Sequence, residues 1–78
     1  MTVSRDADGT IRLSGDCDAA DAEALLRHLG ADPGAAVDWR GCTRAHAAVV
    51  QVLMALRPAL SGPPADDFLQ RHVAPLLL

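Results

Sequence analysis

The sequence predicts one α/β domain over residues 1–78, with a β-hairpin first and parallel neighbouring strands after it. Two observations support this fold class. Short segments in which apolar and polar side chains alternate are followed by longer segments with helical spacing. The composition is 50% hydrophobic, yet it includes a single Trp, a single Phe and no Tyr. The core must therefore be built mainly from aliphatic side chains.

The first two strands are expected near residues 2–5 and 10–14. Apolar and polar side chains alternate in both segments. Asp8 and Gly9 lie between them, and this dipeptide is typical of a tight turn that needs positive φ. The pattern predicts an antiparallel hairpin.

A first helix is predicted over residues 18–29. Its acidic start offers Asp18 as an N-cap, and Gly30 is a natural stop. Helical spacing places four apolar side chains on one face: Ala22, Leu25, Leu26 and Leu29.

The third strand is expected over residues 35–40. Val37 and Trp39 fall on one face of this strand. Asp38 and Arg40 fall on the other face. This alternation predicts a strand.

A second helix is predicted over residues 44–57, after a turn formed by "GCT" with Thr43 as a possible N-cap. It is apolar around most of its circumference, which is typical of a helix buried between a sheet and other helices. Pro58 ends it, because a proline disfavours the helical conformation of the preceding residue. A short strand at 59–61 is possible.

The third helix is expected over residues 65–73, with Asp66 or Asp67 near its start. Pro75 is expected to break it. The closing leucines, residues 76–78, are expected to pack on the domain or on a second copy, since exposing all three would leave a large apolar surface in water.

Composition argues against several functional classes. The net charge is −3, and the chain has no lysine and no basic stripe, so no nucleic acid partner is expected. The N-terminus lacks a signal-peptide core. The longest apolar stretch, residues 45–56, is interrupted by His46 and Gln51 and is too short to cross a bilayer. We therefore expect a cytoplasmic protein without membrane insertion.

The soft metal ligands do not form a zinc pattern. They are Cys17, His28, Cys42, His46 and His72. Only Cys42 and His46 approach the close spacing of a structural site, and no second pair matches them. We expect no metal and no cofactor, and both cysteines are predicted to be free thiols.

Cys42 and His46 also raise the hypothesis of a thiol enzyme. A cysteine beside the start of a helix, with a histidine one turn later, meets the minimal requirement for an activated nucleophile. No Asn or Asp is evident to orient the imidazole, and so small a domain has little room for a substrate cleft. A non-enzymatic role is favoured. Phosphate binding at the same helix start is disfavoured because the segment lacks the lysine of a P-loop.

Two segments resemble the STAS domain, the family of sulphate transporters and anti-sigma-factor antagonists. "IRLSGDCDAADAEALLRHL" is similar to the family's strand and acidic, alanine-rich helix. "VDWRGCTRAHAAVVQVLMAL" is similar to its central strand, turn and apolar helix. The resemblance covers roughly residues 10–57. It implies a small mixed sheet with helices mainly on one face, and a protein-binding role.

The resemblance also marks a departure. The family's D-S-x-G-L motif falls on His46-Ala47-Ala48-Val49-Val50, so alanines occupy the positions of the phosphorylated hydroxyl. No phosphorylation is therefore expected, although Thr43 stays open as a displaced phosphosite.

These observations predict a docking surface at the start of the second helix, formed by Thr43, Arg44, His46, Ala47 and Ala48. Its partner would be a bacterial regulatory or transporter protein: a regulatory kinase, an anti-sigma factor, a chemotaxis component or a transporter ATPase. The alternatives are a small structural homodimer that uses residues 73–78, a transporter accessory subunit, and the Cys/His enzyme.

Overall fold

The computed structural model describes residues 2–77 and contains one four-stranded sheet. The strands lie in the order β1-β2-β3-β4, with β1 antiparallel to β2 and the other two pairings parallel. Their bounds are β1 Val3–Arg5, β2 Ile11–Cys17, β3 Val37–Ala45 and β4 Leu60–Ser61. The mixed α/β fold with an N-terminal hairpin is confirmed.

The helices cover one face of this sheet. Helix α1 spans Ala19–Ala31 and connects β2 to β3, and α2 spans Ala47–Leu56 and connects β3 to β4. Both connections step across the sheet in the same direction, and right-handed crossovers then place both helices on the same side. The C-terminal helix, residues 67–77, contains a π-helical turn at Leu69–Val73 and the α-helix α3 at Ala74–Leu77.

The core lies between the helices and the sheet. Ile11, Val37 and Leu60 occupy one row across β2, β3 and β4 on this side. The buried apolar side chains of the core are predominantly aliphatic, as the composition predicts: Val3, Ile11, Leu13, Cys17, Ala22, Leu25, Leu29, Ala35, Val37, Trp39, Cys42, Val49, Leu53, Leu69 and Val73.

In the part of the chain that the structure describes, the opposite face carries no helix and has a polar row. Ser4, Arg12, Asp38 and Ser61 are paired in register across all four strands. Asp38 lies on the strand face opposite Val37, as predicted, yet its side chain is only 7% exposed. Nη2 of Arg40 lies 2.8 Å from its Oδ2, and Nη2 of Arg12 lies 4.0 Å from the same atom.

Helix α1 begins as predicted and ends later. Asp18 is the N-cap, and Asp18 and Asp21 each accept a hydrogen bond from the other's backbone N–H in a capping box. The helix continues through Gly30, so the predicted stop at this residue is wrong. The C-cap is Asp32, whose carboxylate receives a hydrogen bond from Arg5 at 2.9 Å and so ties the helix end to β1.

The segment "GCT" is part of β3 and not a turn. β3 has nine residues where β2 has seven, and the difference is absorbed by two register shifts. From the Arg12–Asp38 pair to the Ser14–Gly41 pair, β2 advances by two residues and β3 by three. Pairing with the full length of β2 thus prevails over the turn tendency of Gly41.

Helix α2 consequently begins at Ala47, three residues after the predicted start. Thr43 lies in β3 and is not the N-cap. That position belongs to His46, whose Nδ1 accepts a hydrogen bond from the N–H of Ala48 at 3.0 Å. The predicted end is confirmed, because Arg57 adopts the left-handed conformation before Pro58.

Pro75 does not break the C-terminal helix, contrary to expectation. A proline lacks an N–H donor, and its ring crowds the carbonyl group four residues earlier. Just before Pro75 the helix widens into the π turn, in which the N–H of Ala74 bonds the carbonyl of Leu69. This wider turn relieves the crowding. Leu77 is partly buried against the core and Leu76 is exposed, while Leu78 lies outside the described residues.

Candidate functional site

Helix α2 is apolar except for Gln51 but is only half covered. No charged side chain occurs in Ala47–Leu56, and only Val49 and Leu53 are buried. The sequence predicted a helix enclosed on most sides, and this expectation is wrong. Met54 and Leu56 are exposed beside small alanines. An apolar surface of this kind on a small domain is typical of an interaction site.

Two grooves flank this helix. The C-terminal groove, between α2 and the C-terminal helix, has a volume of about 670 Å³ and is lined by Arg44, Ala45, Ala47, Val50, Gln51, Asp66, Phe68, Leu69 and Val73. The α1 groove, between α1 and α2, has a volume of about 390 Å³ and is lined by Ala19, Ala22, Glu23, Leu26, Ala48, Gln51, Val52, Ala55 and Leu56.

The five predicted docking residues are distributed over the two grooves and the surface beside them. Arg44 and Ala47 line the C-terminal groove, whereas Ala48 lines the α1 groove. His46 caps α2 and lines neither groove. Thr43 is exposed on β3, also outside both grooves.

The C-terminal groove has opposite charges at its rim. Arg44 is exposed and makes no ion pair within residues 2–77. The half-buried Asp66 accepts a hydrogen bond from the N–H of Leu69 at 3.1 Å, which holds the start of the C-terminal helix in place. The guanidinium group is therefore free to meet an acidic group of a ligand, whereas the carboxylate already has a structural partner.

The largest exposed apolar side chain of the C-terminal groove was missed by the sequence reasoning. Phe68 is 63% exposed, and its ring lies 5.1 Å from that of His72, centroid to centroid. The four-residue spacing of Leu69 and Val73 indicates a buried helix face. That spacing cannot reveal that the helix packs beside α2 and leaves Phe68 at the edge of a groove.

The cysteines occupy the core beneath this region. Cys17 and Cys42 are buried and unbridged, with their sulfur atoms 3.9 Å apart. The Cys42 thiol also donates to the carbonyl of Arg44 at 3.2 Å. The neighbouring Cys42 sulfur and burial both raise the pKa of Cys17. A raised pKa disfavours the reactive thiolate of Cys17, whereas the hydrogen bond with Cys17 lowers the pKa of Cys42.

The side chains of Cys42 and His46 are not paired as a catalytic dyad. No hydrogen bond joins the two side chains, since His46 accepts from the backbone of Ala48 and the thiol bonds a carbonyl and the other sulfur. Within residues 2–77, no group of three or more His, Cys, Asp or Glu side chains is placed to hold a metal ion.

None of the helices described in residues 2–77 is long and apolar enough to cross a membrane. Comparison with protein-family models, with curated proteins and with solved structures found no match.

Proposed function

We propose that this protein is a non-enzymatic, STAS-like docking module that binds a bacterial regulatory or transporter protein. The observation that carries the proposal is the C-terminal groove. It combines an apolar floor with Arg44, which makes no ion pair in the described part of the chain, and it borders the helix start at which STAS domains meet their partners.

The groove suits a protein ligand with one or two apolar anchors. Val50 and Leu69 provide apolar lining, and Phe68 offers an exposed aromatic edge of the kind enriched at protein interfaces. Arg44 would pair with an acidic residue beside the anchor. Such a pair at the rim sets orientation and partner choice more than affinity.

Binding at this surface would not be switched by phosphorylation of α2. Ala47 and Ala48 occupy the family's switch positions, and neither can carry a phosphate. A phosphoserine would add about −1.5 to −2 charges and repel an acidic partner. Regulation would then come from the partner's own state or from the amounts of the two proteins.

The test begins by finding the partner through the groove itself. A photo-crosslinking side chain placed at Ala47 should capture a protein in cells, and the same side chain at Ser4, on the helix-free face, should not. The captured protein is then purified and its affinity for the chain is measured. Ala47→Glu and Phe68→Ala are expected to weaken binding at least tenfold, about 1.4 kcal/mol.

Ala20→Glu is the matched control, because Ala20 is exposed on α1 and lines neither groove. It should bind the partner normally. If Ala47→Glu and Phe68→Ala also bind normally while their circular dichroism is unchanged, the docking surface is not the C-terminal groove and the proposal fails.

A further inference from the structure

We propose that the α1 groove is a homodimer interface, in which α1 and α2 of one copy pack antiparallel on α1 and α2 of a second copy. The twofold axis lies in the interface and runs across both helices, near Gln51. This inference concerns a different groove from the docking site and does not depend on it.

The shape of the surface favours a second copy as its occupant. Helices α1 and α2 both begin at the edge where β2 and β3 end, so they run parallel. The lining is small at their N-terminal ends, with Ala19 and Ala48, and large towards their C-terminal ends. There Leu26 is 51% exposed and Leu56 is 46% exposed.

A twofold axis would pack the large side chains of one copy against the small side chains of the other. The rotation places the C-terminal end of each helix over the N-terminal end of its counterpart. Leu26 would then cover Ala19 of the second copy, and Leu56 would cover Ala48. Each copy provides both the protruding and the recessed half, as an isologous interface requires.

Charged side chains also differ between the N-terminal and C-terminal ends of the helices. Asp18 and Glu23 lie in the N-terminal half of α1, and Arg27 and Arg57 lie towards the C-terminal ends of the two helices. Neither of these arginines makes an ion pair within residues 2–77 of one copy. The rotation brings Arg27 towards Asp18 of the second copy.

The two helices differ in the charge they bring to the middle of the surface. Helix α2 has no charged side chain, so its strip meets no like charge despite a net charge of −3 per copy. On α1, the rotation that places Leu26 over Ala19 brings Glu23 close to Glu23 of the second copy, and these carboxylates must turn outwards to water. Gln51 provides a polar group near the axis that can hydrogen-bond its own copy. The α2 half of the interface is thus apolar, and the α1 half is charged.

The test is a double-mutant cycle that swaps a large and a small side chain, with the dimer measured by analytical ultracentrifugation from low to high micromolar concentration. The unaltered chain should dimerise. Leu26→Ala should weaken the dimer at least tenfold by leaving a gap, and Ala19→Leu should weaken it similarly by opposing two leucines. The double variant should recover most of the lost affinity, because it restores one large and one small side chain at each contact.

Phe68→Ala is the control, since Phe68 lines only the C-terminal groove, and it should leave the dimer unchanged. Circular dichroism checks that each variant is folded. A chain that stays monomeric at high micromolar concentration overturns the inference. The inference also fails if neither single substitution changes the affinity of the dimer. It fails as well if the double variant dimerises no more tightly than the single variants.

Discussion

The two faces of the sheet are stabilised by different means, although they are built from alternate residues of the same strands. On the helix side, Ile11, Val37 and Leu60 form an apolar row that helices cover. On the open side, the next row contains Arg12 and Asp38 and has no helix over it. Burial of apolar surface stabilises the first face, and an ion cluster around one carboxylate organises the second.

This difference has an energetic consequence. Removing apolar volume from the covered face leaves a cavity, whose cost rises with the volume lost. Removing a charge from the open face costs less, because water can reach most of the cluster. Among residues 2–77, only Asp38, at 7% side-chain exposure, combines charge with burial. The stability losses caused by substitutions on the two faces should therefore differ in size and in their dependence on pH.

The largest loss is expected for Trp39→Ala on the covered side. Trp39 is 2% exposed in a core otherwise made of smaller side chains, so the cavity cannot be filled by its neighbours. The free energy of unfolding should fall by about 3–5 kcal/mol. Urea denaturation measures this change. A loss below about 1 kcal/mol would mean that the indole contributes little to packing.

A smaller loss is expected for Gly62→Ala, which tests the loop that covers Trp39. A Cβ at Gly62 would lie 2.6 Å from Nε1 of the indole, so the ring or the loop must move. We expect a loss of about 2 kcal/mol.

Gly30→Ala is the control for this change. A Cβ at Gly30 meets no atom within 4 Å, and the residue lies inside α1. It should raise stability by about 0.5–1 kcal/mol. Equal effects of the two substitutions in thermal unfolding would contradict the close contact between Gly62 and Trp39.

On the open face, Asp38→Asn should cost about 1.5 kcal/mol at neutral pH. Arg40 donates to Asp38 from Nε at 3.0 Å, from Nη2 at 2.8 Å and from its backbone N–H at 3.0 Å. These bonds lower the pKa of Asp38 from 3.8 to about 2. Asparagine keeps the shape but loses the charge.

The same variant has a defined pH dependence. A carboxylate with a lowered pKa stabilises the folded state fully above its unfolded value of 3.8, and this contribution is lost as pH falls towards 2. The stability difference between the unaltered chain and Asp38→Asn should therefore shrink between these limits. A difference that is constant from pH 5 to pH 2 would show that the charge of Asp38 is not responsible.

The smallest effect is expected for Arg12→Ala. Its guanidinium group bonds Asp6 at 2.7 Å, but the closest approach to Asp38 is 4.0 Å and the side chain is 47% exposed. We expect a loss of less than about 1 kcal/mol. Arg40→Ala should cost more, because Arg40 holds both carboxylate oxygens of Asp38. If Arg12→Ala lost more stability than Arg40→Ala, Arg12 and not Arg40 would be the main partner of Asp38.

The sequence predicted the covered face better than the grooves. Strand alternation and helical spacing are local patterns, and they correctly placed Val37 and Trp39 on one strand face and Asp38 on the other. The start of α2 depends on a longer-range fact, the pairing of β3 along β2 as far as Cys17. That pairing is not visible in the segment itself, so the local pattern of "GCT" predicts a turn.

The candidate site was only half predictable for the same reason. Arg44 and Ala47 were identified through the resemblance and do line a groove. The opposite wall comes from Phe68 and Leu69, more than twenty positions away in sequence, and only tertiary packing brings it to α2. The separation of Ala47 and Ala48 onto two grooves follows from the angular step of about 100° between successive helical residues.

The π turn sets the angular phase of the C-terminal helix. Leu69, Val73 and Leu77 are four residues apart, and an α-helix of 3.6 residues per turn would rotate each of them about 40° past the previous one. A wider turn across Leu69–Val73 removes part of this drift and keeps all three side chains against the core. Deleting one residue within this turn would leave an ordinary α-helix in which Val73 and Leu77 follow Leu69 by three and seven positions, so the same three side chains would still share one face without the wider turn.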